Sequence, residues 1–173
     1  MNSDKVEKHI LSLMVENQPG VLARIAGLFS GRGFNIESLS VAQTTDPDVS
    51  RLTLVTVGDL AVTEQIKKQL NKLINVIKVF DFTDTPHVQR EMALIKIHAR
   101  PETRAEILRM VDIFRSRVVD VGADYYTVEV TGDEDKITAF LTLLTPMGIK
   151  EIARTGAIAL AREKSKGGTN GKN

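Results

Sequence analysis

The chain contains no cysteine, which excludes disulfides, thiolate metal sites and thiol nucleophiles together. Only 5% of its residues are aromatic, so it has little material for stacking nucleic-acid bases. Neither charge is in excess: 23 Lys and Arg stand against 22 Asp and Glu, and no global field draws the protein to a polyanion or an anionic membrane. No apolar run approaches the roughly 20 residues of a membrane span, and the N-terminal MNSDKVEKH alternates charges where a signal peptide would carry an apolar core. These absences lead us to expect a soluble cytoplasmic protein that binds neither nucleic acid nor membrane and recognises its partners locally.

Catalytic chemistry is missing as well. The three histidines, His9, His87 and His98, fall on separate elements without metal-ligand spacing, and no Walker loop, dinucleotide fingerprint or Gly-x-Ser-x-Gly elbow occurs. Gly31-Arg32-Gly33-Phe34 is glycine-rich, but it follows a helix and precedes a strand, the reverse of a phosphate-cradling loop. We therefore expect no catalytic residue, no bound metal and no cofactor in this chain.

Hydrophobic periodicity supplies an architecture. His9 to Val15 reads as a strand covered on both faces, and Val21, Leu22, Ile25, Ala26, Leu28 and Phe29 recur at helical spacing up to the Gly31-Arg32-Gly33 stop. Phe34 to Gln43 and Arg51 to Val57 read as a hairpin of strands, Ile66, Leu70, Leu73 and Ile74 as a second helix, and Val76 to Phe82 as a fourth strand. The order is βαββαβ.

After a polar linker, Thr83 to His87, the plan repeats. Glu91 to Ala99 reads as a strand, Pro101 to Phe114 as a helix, and Val118 to Val121 and Tyr125 to Thr131 as strands. Asp133-Glu134-Asp135 opens a further helix, Pro146 ends it, and a last strand follows. The simplest fold is α+β, with two ferredoxin-like domains at 1–84 and 85–163 and a disordered polar tail at 164–173. Leu94 and Val119 fit either the core of the second domain or an interface.

The same order also describes RNA-recognition domains, but after Arg32-Gly33-Phe34 the residues Asn35, Ile36, Glu37 and Leu39 depart from the stacking-strand motif. Two clusters invite another function. In Glu16-Asn17-Gln18-Pro19-Gly20 the turn leads into a helix N-terminus, where the backbone N–H groups of Gly20, Val21 and Leu22 and the positive dipole end suit a carboxylate, with Asn17 beside them. The same residues also fit an ordinary cap with a first-turn proline. The second cluster is Asn35, a lone amide between Phe34 and Ile36 where strand propensity alone would not choose it.

The segment from Val15 to Ser30, followed by Arg32-Gly33-Phe34-Asn35-Ile36-Glu37-Ser38-Leu39, closely resembles the ACT domain of the acetolactate synthase small regulatory subunit family. The resemblance continues through Asp46-Pro47, Ser50 to Thr53 and Gln69 to Ile74, and in the second half through Ile113-Phe114-Arg115, Tyr126-Thr127-Val128 and Ile152-Ala153-Arg154-Thr155-Gly156. It implies an N-terminal ACT domain that pairs as a homodimer and binds valine between two chains. Asn17, Gly20, Val21 and Leu22 would come from one chain and Asn35 and Ile36 from the other. It also implies a catalytic large-subunit partner, a transferase that uses thiamine diphosphate, magnesium and FAD and is activated and made valine-sensitive in branched-chain amino acid synthesis. A free-standing ACT sensor of another enzyme is the alternative.

Overall fold

A computed structural model describes residues 6–163 of the chain; the expected tail lies outside the described residues. The first half comprises β1 (Glu7–Glu16), α1 (Val21–Gly31), β2 (Ser38–Gln43), β3 (Val49–Gly58), α2 (Leu60–Leu70) and β4 (Val76–Asp81). Its antiparallel sheet has the order β2-β3-β1-β4, so the crossing helices both pack on one face. Alternation decides which face: Leu11, Leu13 and Val15 of β1 and Leu52 and Leu54 of β3 are buried beneath Val21, Ile25 and Phe29 of α1 and Ile66 and Leu70 of α2.

The second half repeats the plan with β5 (His87–His98), α3 (Arg104–Ile113), β6 (Arg117–Val121), β7 (Tyr125–Gly132), α4 (Glu134–Leu144) and β8 (Ile149–Arg154). Its strand order, β6-β7-β5-β8, is that of the first sheet transposed. Ala93, Ile95 and Ile97 meet Ile107, Val111, Ile137 and Phe140 in a separate core. The architecture is two ferredoxin-like units, as expected. Asp59 and Asp133 cap the corresponding helices, accepting from the Val62 N–H at 2.8 Å and the Lys136 N–H at 2.9 Å.

Several boundaries differ from the periodicity. Beta strand 2 begins at Ser38 rather than Phe34, because the Phe34 N–H returns to the Phe29 carbonyl and Gly33 takes φ +69°. Phe34 and Ile36 still pack on the core, but from a loop. The second helix ends at Leu70, which leaves Ile74 88% exposed in the following turn. Pro101 precedes α3 instead of starting it, with a turn closed by the Thr103 N–H on the Arg100 carbonyl.

The largest difference lies at the junction. Strand β5 starts at His87, inside the expected linker, and the single last strand is two: β8 and β9 (Ile158–Ala161), separated by Gly156 at φ +78°. Strand β9 pairs with His87–Arg90 of β5, forming a two-stranded ribbon whose Gly156 and Ala157 lie against β2. On the far edge, Asp81 of β4 accepts from Thr83 Oγ1 (2.6 Å), the Thr83 N–H (2.9 Å) and Lys67 Nζ (2.9 Å). Among the described residues no helix is long and apolar enough to cross a membrane.

Candidate functional site

The ENQPG turn is held rigidly from behind. The Asn17 N–H donates to the Asp48 carbonyl at 2.8 Å, its side-chain Nδ2 to the Pro47 carbonyl at 2.9 Å, and its Oδ1 accepts from Ser50 Oγ at 3.1 Å. Asn17 therefore fastens the turn to the β2–β3 hairpin and does not cap the helix. A second set of bonds buttresses it: Arg24 Nη1 donates to Asn75 Oδ1, and Asn75 Nδ2 donates to Glu16 Oε2 at 2.6 Å. Arg24 and Asn75 were invisible in the sequence, since 51 positions separate them.

Gly20 occupies the cap position of α1 at φ +85°, a conformation that L side chains adopt rarely, and no side chain caps the helix. No atom stands within 4 Å of where a Cβ of Gly20 would lie, so the approach to the backbone is open. In this first turn the Val21 N–H reaches the Gln18 carbonyl at a long 3.4 Å and the Arg24 N–H the Gly20 carbonyl at 3.0 Å. No acidic residue occupies the first turn of the helix itself. The remaining N–H groups and the dipole present a positive end, the chemistry that receives a carboxylate.

Beside this end lies a small hollow of about 70 Å³, lined by Val15, Val21, Leu22, Ile25, Val41 and Asn17. Leu52 completes the aliphatic side, and Glu16, Gln18 and Ser50 join Asn17 on a polar one. Leu22 and Val41 stand at its rim, 42% and 46% exposed. Val41 belongs to the edge strand β2, and alternation along that strand was the signal that would have added it to the site.

Asn17, Gly20, Val21 and Leu22 thus come together, but Asn35 and Ile36 do not join them in one chain. They follow the other end of α1, whose 11 residues span about 16 Å. Asn35 is exposed in the loop, outside the strand in which it was expected. Its Nδ2 touches only Glu37 Oε1 (2.6 Å), and its carbonyl accepts from Thr56 Oγ1 (2.7 Å). Ile36 packs partly on the core.

The histidines stand apart. His9 is buried between Thr83 Oγ1 and the Gly58 carbonyl, both 3.0 Å away, and His87 reaches the Thr85 carbonyl. Among the described residues no group of three or more His, Asp or Glu could hold a metal. Leu94 and Val119 lie outside both cores, 37% and 50% exposed.

Residues 11–78 match the family model of the AHAS small subunit-like ACT domain, and residues 90–163 match that of the small subunit of acetolactate synthase. The chain belongs to the acetolactate synthase small-subunit family. It is 56% identical over 163 residues to the acetolactate synthase small subunit of Aquifex aeolicus, covering 93% of this chain and 84% of that one. It is 55% identical over 159 residues to the probable small subunit of Archaeoglobus fulgidus, covering 92% and 99%. The crystal structure of the Thermotoga maritima small subunit superposes with a TM-score of 0.84 at 41% identity, covering 92% of this chain and 99% of that one. As a small subunit, the chain is regulatory, with its ACT domain in the N-terminal half.

Proposed function

We propose that this small subunit binds valine between the ACT domains of two copies in the cytoplasm and passes that signal to a catalytic large subunit, as feedback inhibition of branched-chain amino acid synthesis. The catalytic partner holds the thiamine diphosphate, magnesium and FAD, and the small subunit raises its activity when valine is absent. The ACT domain spans 1–84 and the C-terminal domain 85–163.

The observation that carries this reading is the separation of the two clusters along α1. Strand β2 is the edge of the first sheet, and its outer edge pairs with nothing among the described residues. A two-fold axis that joins β2 antiparallel to its copy also sets α1 antiparallel to its copy. The Gly20 turn of one chain then meets Asn35 and Ile36 of the other, with Val41 at the seam. The helix end takes the ligand carboxylate, the partner's Asn35 amide serves as a hydrogen-bonding group, and the aliphatic side of the hollow receives a branched side chain.

Inhibition requires that valine bind one arrangement of the dimer better than another, by the free energy with which it biases the catalytic subunit. Gly20→Asp tests the site directly. A side chain and a negative charge enter the carboxylate position, so reconstituted enzyme should stay activated and ignore valine. Inhibition at wild-type valine concentrations would return the turn to a purely structural role.

A further inference from the structure

The helix-free face of the first sheet is covered unevenly by the β5–β9 ribbon. Where β9 crosses, Thr53, Val55, Ala157 and Ala159 are all buried. Beside the crossing a cleft of about 460 Å³ opens between Ala42, Arg51 and Thr53 of the sheet and Arg90, Ile158 and Leu160 of the ribbon. Its ribbon wall is strongly apolar, with Ile158 and Leu160 each more than half exposed. Exposed aliphatic side chains gathered in a concavity mark an interaction site more often than chance scatter.

Two cations, Arg51 and Arg90, line the cleft, and no acidic residue does. The Arg51 guanidinium lies 5.5 Å from the centroid of the Phe80 ring, and the Lys78 ammonium lies 4.7 Å from the same ring. Arg90 Nη1 donates to the Gln89 carbonyl at 2.6 Å. None of these three cations meets a carboxylate among the described residues, whereas Lys67, Lys96, Arg117 and Arg154 each do. An apolar concavity that carries two arginines with no carboxylate partner among the described residues is complementary to an acidic, apolar segment.

We propose that this cleft docks an acidic segment of the catalytic large subunit, which inserts an aliphatic or aromatic side chain against Ile158 and Leu160 and sets carboxylates on Arg51 and Arg90. The inference rests on the regulatory reading above and names the surface through which it acts. Self-pairing of two such clefts across a two-fold axis is disfavoured, because Arg51 and Arg90 would face their own counterparts. The cleft lies on the sheet face opposite α1, so an occupant leaves the Gly20 turn open. It does touch β2, the strand that starts just after Asn35 and Ile36.

The test uses full-length protein, the double variant Arg51→Glu/Arg90→Glu, and the purified acetolactate synthase catalytic subunit of the same organism. Activation titrations should need about tenfold or more of the variant for half-maximal effect, while Arg51→Lys/Arg90→Lys stays close to wild type. Valine calorimetry and dimer mass, measured without the catalytic subunit, should be unchanged in both variants. Activation curves that coincide for wild type and the charge-reversed variant overturn the proposal, as does conversion of that variant to a monomer, which would make the cleft a self-contact. If wild type activates but binds no valine, the effector site falls and the docking result stands on the titration alone. If wild type fails to engage the catalytic subunit at all, both fall.

Discussion

Ser38 Oγ accepts the backbone N–H of Ala157 at 3.2 Å, which ties the start of β2 to the link between β8 and β9. The adjoining Gly156 is at φ +78°, and a Cβ there would lie 2.9 Å from Ser38 Oγ and 3.3 Å from the Leu39 carbonyl oxygen. Both the backbone conformation and the space argue against any larger residue. We expect Gly156→Ala to cost about 1–3 kcal/mol, from strain together with a forced shift of β2. Chemical denaturation checks this, and an unchanged midpoint would show that the two halves are not braced here.

The same link is anchored one residue earlier. Arg154 donates two parallel bonds to the buried Glu91 carboxylate, at 2.7 and 2.8 Å, and the Glu91 carboxylate holds the guanidinium pKa above its ordinary value. Because Arg154 is partly exposed, its own desolvation is modest, while Glu91 is nearly dry. Arg154→Met should therefore destabilise by about 1–3 kcal/mol, chiefly through the stranded carboxylate. Glu91→Gln should cost less. The comparison of the two melting temperatures decides between them.

A pH dependence follows from Asp81. Burial alone would push its carboxyl up, but the Thr83 hydroxyl, the Lys67 ammonium and the Thr83 N–H together outweigh burial and hold it below the ordinary carboxylate range. A depressed pKa contributes stability that is present above the unfolded value and lost as pH falls through the folded one. Thermal stability should drop below about pH 4, and Asp81→Asn should flatten that limb. Lys67 carries the opposite sign: Glu64 and Asp81 raise it above 10.5, so its contribution holds below that value and disappears only in strong alkali.

The order βαββαβ and the core stripe Val21, Ile25, Phe29 were legible because helical periodicity and strand alternation act locally. The ribbon was not. His87–Arg90 is a strand with a partner on one edge only, so its residues are mostly polar and show no alternation to read. Asn35 was misplaced for a related reason: Phe34 and Ile36 do pack on the core, and packing from a loop leaves the same apolar pattern as a strand. The open helix end after the Pro19-Gly20 turn was readable, whereas the Arg24, Asn75 and Glu16 network behind it depends on contacts between distant segments.

Asn17 and Asn35 should behave differently when truncated. Asn17→Ala loses its bonds to Pro47 and Ser50 and should lower stability by about 1 kcal/mol. Asn35→Ala removes only a contact with Glu37 within the chain, so its denaturation midpoint should hardly move. Valine affinity in Asn35→Ala should fall by about 1–3 kcal/mol. Calorimetry that finds wild-type affinity in this variant would remove Asn35 from the site.

In the second half, the turn that corresponds to ENQPG carries a cation bonded to the chain's own carbonyls. Arg104 at the start of α3 donates through Nε to the Ala99 carbonyl at 2.8 Å and through Nη2 to the Ala123 carbonyl at 2.6 Å. The two halves share a strand order and an aspartate cap, yet at this turn one offers backbone donors and the other supplies its own cation to backbone acceptors. On the valine reading proposed above, calorimetry should count one ligand per chain, two per symmetric pair, rather than one for each folded half.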